Sequence, residues 1–289
     1  MDGIIIINKP KNYTSHDIVN IIRKNFNTRK VGHTGTLDPN ATGVLPLLIG
    51  EATKLSKYLI NHDKQYEVVL KLGVKTDTAD AEGKVIEEKP VTINDNNFII
   101  NIMNSFKGIQ EQKPPMYSAI KVNGRKLYEY ARAGQSVEVK PRKIEIYDIQ
   151  VININNTEIS FKVSCSKGTY IRSLCEDIAN KIGTIGYMKE LNRVNVGVFN
   201  IEDAISLEDI GKENIVSEKL ITIQKFFKDK ESIRLTNKQL QRFLNGVSLN
   251  YKDYVDGIYN IYNENDQYIG IGVIDKYCLK RDIILKHTF

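Results

Sequence analysis

A glycine-rich segment near the start of the chain holds a carboxylate that could act as a nucleophile. Residues 32–43 read GHTGTLDPNATG, with Asp38 directly before a proline. Proline disfavours helical backbone in the preceding residue, and nearby glycines let a ligand approach the chain closely. An Asp-Pro pair is also a common start for a short helix, with Asp38 as the cap and Pro39 as the first residue. The sequence leaves both interpretations open.

An arginine stands at the unfavourable end of a predicted helix. Apolar residues recur at helical spacing from residue 171 until Gly183, at Ile171, Leu174, Cys175, Ile178, Ala179 and Ile182. Arg172 falls in the first turn, where the helix dipole disfavours a cation by about 0.3 to 1 kcal/mol. Either Arg172 faces solvent without a role, or it pairs with a buried carboxylate. Such a pair would keep Asp38 ionised inside a dry pocket.

A tyrosine begins an alternating segment that predicts a strand over residues 66–74. Tyr66, Val68, Leu70 and Leu72 alternate there with polar residues. Tyr66 is either a half-buried core aromatic or a platform on which a base could stack.

Other chemistries lack the residues that they need. The chain has neither GxxxxGK[ST] nor GxGxxG, so a phosphate-cradling loop is not predicted. Asp77, Asp80 and Glu82 resemble a calcium loop, but alanines occupy ligand positions, and we interpret these acids as turn residues. The histidines show no metal-ligand spacing and the three cysteines form no C-x-x-C pair. We therefore expect no metal and no organic cofactor.

Composition favours a globular protein with a polyanionic partner. Among 289 residues, Lys and Arg outnumber Asp and Glu by 41 to 35, a net charge of +6. Cysteine usage and the short apolar run at residues 3–7 favour a cytoplasmic protein without a targeting or membrane segment.

The pattern of elements suggests two domains. We expect a catalytic domain over residues 1–228 and a small β-rich domain over residues 229–289. An excursion rich in Pro, Gly and basic residues occupies about residues 113–142, with a short helix stopped by Gly134. A further helix is expected at residues 15–27, with Ser15 as its N-cap.

Taken together, these segments resemble the bacterial TruB family of tRNA pseudouridine synthases over nearly the entire chain. The similar stretches are residues 32–54 around Asp38, KQY at 64–66 with KTDTAD at 75–80, PPMYSA at 114–119, and CSKGTYIR at 165–172. Departures are Asn12, where the family usually has glycine, and Asn192 and Val194, where it usually has arginine and threonine. Asparagine tolerates positive φ, so the turn at residue 12 can survive.

The resemblance implies a role for each matched residue. Asp38 would be the nucleophile, Tyr66 the active-site tyrosine and Arg172 the partner of the aspartate. Tyr170 would contact the uridine and Leu191 would line its pocket.

The resemblance also implies a fold and a reaction. The fold would be a mixed α/β catalytic domain on a largely antiparallel sheet, followed by a PUA-like RNA-binding domain. The excursion at 113–142 would grip the T-arm of tRNA. The enzyme would flip uridine 55 out of the T-loop and isomerise it to pseudouridine, and we add the hypothesis that His33 fills the vacated space.

We expect a monomer without an obligatory protein partner. Two alternatives keep the RNA: a tRNA-binding or folding factor without catalysis, and the catalytic subunit of a guide-RNA-directed complex.

Overall fold

The apolar runs of the first 200 residues pair mainly into one large sheet. Within residues 2–93 and 95–285, which the computed structural model describes, this sheet has nine strands, and two short hairpins lie beside it. The strands up to residue 200 are β1 (Gly3–Lys9), β2 (Val31–His33), β3 (Thr42–Ile49), β4 (Lys64–Leu72), β5 (Val74–Thr76), β6 (Val85–Glu88), β7 (Gly108–Gln112), β8 (Lys121–Val122), β9 (Arg125–Lys126), β10 (Arg142–Ile154), β11 (Glu158–Cys165), β12 (Gly186–Val196) and β13 (Phe199–Asn200).

The strand order places distant parts of the sequence side by side. It runs β1-β3-β12-β4-β11-β10-β7, with β2 on β3 and β13 on β12. Most of these pairings are antiparallel, whereas β3 and β12 run parallel, with Arg193 opposite Gly43. Tyr66 on β4 in turn lies opposite Arg193. The predicted mixed α/β fold with a largely antiparallel sheet is confirmed.

Several of the helices pack against this sheet. The helices are α1 (Ser15–Asn25), α2 (Ser56–Leu59), α3 (Asn96–Asn104), α4 (Leu127–Arg132), α5 (Ile171–Ile182), α6 (Glu213–Lys219), α7 (Ile223–Phe226) and α8 (Asn237–Leu244). Val68 and Phe161 of the sheet share a buried cluster with Ile22 of α1, Met103 of α3 and Leu174 of α5. Each buried side chain of this size contributes about 1.5 to 3 kcal/mol, so this packing holds α5 against the sheet.

The first helix begins one residue earlier than its sequence suggests. Thr14, not Ser15, is the N-cap: its hydroxyl accepts from the Asp17 amide at 3.1 Å, and the Asp17 carboxylate accepts from the Thr14 amide at 2.8 Å. The Ser15 hydroxyl is buried and accepts from the Leu37 amide at 2.9 Å. Both residues can cap a helix, and this tertiary contact decides between them. It also ties α1 to the residue before Asp38.

The tail forms a second sheet. Its strands are β14 (Ser232–Leu235), β15 (Leu249–Asn250), β16 (Gly257–Asn263), β17 (Tyr268–Asp275) and β18 (Cys278–Ile284). Thr236 caps α8 as predicted. Ile271 and Ile283 of this sheet also pack in one cluster with Ile4 and Leu48 of the large sheet. The division of the chain at residues 228 and 229 stays a prediction.

Candidate active site

A cleft of about 430 Å³ opens where the β2–β3 loop meets β4, β12 and the start of α5. It is lined by Gly35, Thr36, Leu37, Asp38, Lys64, Tyr66, Tyr117, Ser118, Ala119, Tyr128, Gly168, Thr169, Tyr170, Ile171, Arg172, Met188, Leu191 and Arg193. The structure therefore brings Asp38, Tyr66, Tyr170, Arg172 and Leu191 into one cleft.

Asp38 sits in a turn at the bottom of this cleft. The Ala41 amide donates to the Asp38 carbonyl at 3.1 Å, which makes a turn and not a helix, so the interpretation of Asp38 as a helix cap is wrong. Gly43 closes the loop at φ +102°, and a Cβ there would lie 2.2 Å from the Arg193 carbonyl oxygen. Glycine is therefore needed for the loop to lie against β12. About 36% of the Asp38 side chain remains exposed to the cleft.

Arg172 holds the Asp38 carboxylate with two of its nitrogens. The distances are 3.1 Å from Nε to Oδ2 and 3.4 Å from Nη2 to Oδ1. The guanidinium also donates to the Tyr117 carbonyl at 2.9 Å. Its side chain is only 6% exposed, which excludes the interpretation of Arg172 as a solvent-facing residue.

A second carboxylate, Asp80, completes the arrangement around the arginine. Asp80 is buried, and its Oδ2 lies 3.6 Å from Arg172 Nη1. Its other oxygen accepts from the Thr78 hydroxyl at 2.6 Å and from the Glu82 amide at 3.1 Å. The prediction that Asp80 is a turn residue is correct, but its contact with Arg172 was not predicted.

Burial and the charges around Asp38 shift its pKa in opposite directions. Burial raises the pKa of Asp38 above its usual value, and Asp80 adds to the rise, while Arg172 and Lys9 lower the pKa. The net direction is upward. Arg172 therefore limits the rise in the pKa of Asp38 and does not reverse it, which qualifies the expectation that the ion pair alone would keep this group charged.

Tyr66 forms a wall of the cleft. Burial raises the pKa of its hydroxyl to about 12, so the group keeps its proton at neutral pH. Arg193 lies opposite it in the β4–β12 register and is almost fully buried. The Arg193 guanidinium donates to the Val44 carbonyl at 2.8 Å and to the Gly35 carbonyl at 3.1 Å. These bonds fix β12 to both ends of the Asp38 loop beside Tyr66.

Two substitutions of Tyr66 distinguish the contribution of the ring from that of the hydroxyl. Because the hydroxyl stays protonated, we expect Tyr66→Phe to lower kcat/KM by no more than about tenfold, whereas Tyr66→Ala should lower it about 100-fold through lost stacking. Single-turnover rates on the substrate measure both. Equal losses in the two variants would contradict a role for the ring.

The remaining candidate residues occupy different positions. Tyr170 is the N-cap of α5, and its amide donates to the Gln112 side chain at 2.8 Å. Leu191 is buried on β12 and contributes to the cleft lining. His33 ends β2 and is half-buried outside that lining, where burial lowers its pKa. The structure thus brings His33 near the cleft but not into it.

The excursion at 113–142, called here the arch, covers one side of the cleft. Its carbonyls at Tyr117 and Lys113 accept from Arg172 at 2.9 Å and from the Ser173 hydroxyl at 3.0 Å. Farther out, the Arg125 guanidinium lies 4.6 Å from the centre of the Tyr130 ring. The arch therefore contacts Arg172 where it meets the cleft and carries cations and aromatic rings farther out.

Two of the three departures from the family pattern have local explanations. Asn12 adopts φ +68°, as expected for a residue that replaces glycine. Asn192 donates to Glu67 at 3.2 Å and accepts from Thr42 at 3.1 Å. Val194 is half-buried on β12.

Lys9 supports the turn that carries Asp38. Its side chain is fully buried and its ammonium donates to the carbonyls of Pro10, Tyr13 and Pro39 at 2.9, 2.7 and 2.9 Å. Burial lowers the pKa of Lys9 to about 8. The bond to Pro39 fixes the turn that directly follows Asp38.

Lys9→Met leaves the Pro10 and Tyr13 carbonyls without this donor, whereas the Pro39 carbonyl keeps a bond from the Asn12 amide at 3.0 Å. We expect the free energy of unfolding to fall by about 2 to 4 kcal/mol, because each buried unsatisfied polar group costs about 1 to 3 kcal/mol. Urea unfolding measures the change. Lys11→Met is the control, because Lys11 is 54% exposed and makes a single long ion pair of 3.7 Å with Glu190. Equal stability of the two variants would contradict the support that we assign to Lys9.

Within residues 2–93 and 95–285, no group of three or more His, Cys, Asp or Glu side chains is arranged to hold a metal ion. Over the same residues, no helix is long and apolar enough to cross a membrane.

Two family models match adjacent parts of the chain. One, described as TruB family pseudouridylate synthase (N terminal domain), matches residues 23–171, and the other, tRNA pseudouridylate synthase B C-terminal domain, matches residues 172–245. A tRNA pseudouridine synthase B from Clostridium kluyveri is 46% identical over 278 residues, covering 94% of this chain and 96% of the relative. One from Caldanaerobacter subterraneus subsp. tengcongensis is 41% identical over 279 residues, covering 95% and 96%.

Solved structures share the fold at lower identity. A chain in the crystal structure of a Cbf5-Nop10-Gar1 complex matches with a TM-score of 0.70 and 24% identity, covering 98% of this chain and 84% of that chain. A chain in an H/ACA RNP bound to a substrate RNA containing 2′-deoxyuridine matches with a TM-score of 0.69 and 22% identity, covering 99% and 86%.

Proposed function

The chain belongs to the TruB family of tRNA pseudouridine synthases, and on this premise we propose that it isomerises uridine 55 in the T-loop of tRNA with Asp38 as nucleophile. The relatives are named tRNA pseudouridine synthase B, after the formation of pseudouridine in tRNA. The position of the uridine and the role of the aspartate are the new elements of the proposal.

One observation carries the mechanism: the Asp38 carboxylate is exposed to a cleft while Arg172, 3.1 Å away, is held between Asp38 and Asp80. A nucleophilic carboxylate must be ionised and must reach its target. Arg172 favours the ionised form against the effect of burial, and the exposure of Asp38 gives it access to the cleft. Asp80 and the Tyr117 carbonyl fix the guanidinium, so Asp38 meets a positioned positive charge.

The reaction is balanced without a co-reactant. The bond from uracil N1 to ribose C1′ breaks, a bond from C5 to C1′ forms, and the proton on C5 is lost while N1 gains one. Three routes are open: Asp38 attacks the sugar, Asp38 attacks the base, or the bond to the base ionises first and Asp38 then abstracts a proton. All three require the same carboxylate in its charged form. Arg172 therefore serves each route by opposing the rise in the pKa of Asp38.

The target base must leave its stack to reach Asp38. Flipping a nucleotide out costs a few kcal/mol, which contacts in the pocket must offset. We propose that the uracil stacks on Tyr66, with Tyr170 and Leu191 at its edges, while His33 occupies space near the vacated position. Asp38, Tyr66 and Arg172 would then be the catalytic group, and His33, Tyr170 and Leu191 would bind substrate.

The arch is proposed to bind the T-arm. Its cations, including Arg125 and Lys126, would meet phosphates, and the PUA-like tail would extend the RNA contact. We propose that the enzyme acts as a monomer in the cytoplasm, on free tRNA, without an obligatory protein partner or a cofactor.

Release of tritium from C5 tests this function. Purified protein is incubated with unmodified tRNA transcript carrying [5-³H]uridine, with no guide RNA and no second protein. We expect release to water of the tritium from one uridine per tRNA. Tight tRNA binding without release would instead support the binding factor, and release that needs a guide RNA would support the guide-directed subunit.

A further inference from the structure

The helix that carries Arg172 begins without a side-chain cap. Tyr170 is the N-cap of α5, in extended backbone at φ −98° and ψ 111°, and within the described part of the chain its side chain forms no capping bond. A helix start that lacks such a bond must be fixed by other contacts. The position of Arg172 relative to Asp38 therefore depends on what holds the backbone of Tyr170.

A buried glutamine supplies this contact. Gln112 is the last residue of β7, and it is only 3% exposed. Its side-chain nitrogen donates to the Tyr170 carbonyl at 3.1 Å, and its side-chain oxygen accepts from the Tyr170 amide at 2.8 Å. A side-chain amide has a donor and an acceptor in one plane, so it pairs with extended backbone as a neighbouring strand would. The two bonds fix the backbone on both sides of the Tyr170 Cα.

One of these bonds falls on the oxygen at which α5 starts. The Tyr170 carbonyl also accepts from the Leu174 amide at 3.1 Å, which is the first backbone bond of the helix. A carbonyl oxygen has two lone pairs, so it can accept from Leu174 and from Gln112 together. Gln112 therefore helps to fix the point at which the helix begins.

The loop before α5 is anchored to the sheet at its other end. The Ser166 amide donates to the Glu145 carbonyl at 2.8 Å, and the Glu145 amide donates to the Ser166 hydroxyl at 2.9 Å. Gly168 follows at φ +81°, and glycine can adopt many backbone conformations. The anchor at Ser166 thus leaves the direction of Tyr170 to be fixed by Gln112.

The contact from Gln112 comes from the sheet. Gln112 pairs with Arg142 in the antiparallel register of β7 and β10. The other two bonds to this turn of α5, from Arg172 and Ser173, go to carbonyls of the arch. Gln112 therefore joins the first turn of α5 to the large sheet, just before the chain enters the arch.

We propose that Gln112 is a positioning residue for the proposed reaction. Its side-chain amide holds the backbone of Tyr170, and the helical turn that starts there presents Arg172 to Asp38. Gln112 lies outside the lining of the cleft, so it acts through Arg172 and not on the RNA. The inference rests on the proposed function, because Arg172 matters to the reaction only if Asp38 is the nucleophile.

Gln112→Met tests this role, because methionine has a similar length but no donor and only a weak acceptor. Gln110→Met is the matched control. Gln110 lies on the same strand and the same face, and its amide donates to the Phe106 carbonyl at 2.6 Å, away from α5. Each substitution is made in the wild-type chain and in Arg172→Met.

We expect Gln112→Met to lower the single-turnover rate of pseudouridine formation about 30-fold, while tRNA affinity stays within about threefold, because a small displacement of a catalytic group costs rate more than binding. In the Arg172→Met chain the same substitution should change the rate by less than about threefold, because the group that Gln112 positions is already absent. A merely structural role would lower the rate by the same factor in both chains. Gln110→Met should change neither rate.

A second measurement follows Arg172 directly. Its Nε–H donates to Asp38 at 3.1 Å and its side chain is 6% exposed, so this proton should exchange slowly with water. The resonance is observed in ¹⁵N-labelled protein and is assigned by its absence from Arg172→Met. We expect Gln112→Met to speed the exchange about tenfold or more, and Gln110→Met to leave it unchanged.

Unchanged exchange of the Arg172 proton in Gln112→Met, or a rate loss by the same factor with and without Arg172, would overturn the proposal. If melting temperatures show that Gln112→Met does not fold, Gln112→Glu serves the same comparisons with a smaller loss of about fivefold, because glutamate keeps the shape and an acceptor for the Tyr170 amide. Absence of pseudouridine with wild type would count against the proposed function. The exchange of the Arg172 proton would still decide whether Gln112 holds this contact.

Discussion

Replacing Asp38 by asparagine is expected to lower the single-turnover rate of pseudouridine formation by about 10⁴-fold or more, while tRNA affinity stays within about threefold. Asparagine fills the same space in the turn but has neither the charge nor the nucleophilicity of a carboxylate. Rapid-quench assays measure the rate, and filter binding measures the affinity.

The stability of this variant provides an internal check. Burial raises the pKa of Asp38 in the folded state, so its ionised form opposes folding above the usual pKa of an aspartate. Asp38→Asn should therefore unfold at a temperature equal to or above that of wild type at neutral pH. Asp77→Asn is the matched control, because Asp77 is exposed and its carboxylate accepts from the Lys84 amide at 2.8 Å. A slow Asp38→Asn variant that also melts early would contradict a chemical role.

Removing the arginine should change the pH dependence as well as the rate. Arg172→Met is expected to lower kcat at neutral pH by about 10²- to 10³-fold, the usual cost of losing one electrostatic contact to a reacting group. Arg172 lowers the pKa of Asp38, so without it that pKa rises further. The activity should then begin to fall at a higher pH as the solution is acidified. A pH–rate profile under single-turnover conditions measures the shift.

Two variants separate this effect from a general loss of charge. Arg172→Lys keeps the charge but not the fork that reaches Asp38, Asp80 and the Tyr117 carbonyl together, so we expect partial recovery of rate and of the pH profile. Arg234→Met removes an exposed arginine that pairs with Asp266 at 2.5 Å and should change neither. An Arg172→Met profile with the wild-type acid limb would contradict the electrostatic role.

The sequence predicted elements better than contacts. The apolar stripe before Gly183 and the alternation after Tyr66 depend on local periodicity, and both elements form, with β4 starting at Lys64. The place of Arg172 in a first turn left two interpretations open, a solvent-facing residue or the partner of a buried carboxylate, and the family resemblance assigned it to Asp38. The further contact with Asp80 was missed, because a turn of acids gives no indication of which helix end packs against it.

Other features depend on packing that no local pattern reveals. Thr14 and Ser15 are both good caps, and only the bond from Leu37 to Ser15 decides between them. The parallel contact of β3 with β12 joins residues about 150 positions apart, as the 149-residue separation of Arg193 and Val44 illustrates. The family resemblance supplied the topology that periodicity could not.

Mapping the modified nucleotide shows whether the protein acts at uridine 55 and whether it needs Asp38 to do so. Wild type and Asp38→Asn are incubated in parallel with unmodified tRNA transcript, and pseudouridine is located by chemical labelling and primer extension. We expect pseudouridine at position 55 with wild type and none with Asp38→Asn. Pseudouridine only at other positions, or pseudouridine at position 55 with the variant at the wild-type rate, would contradict it.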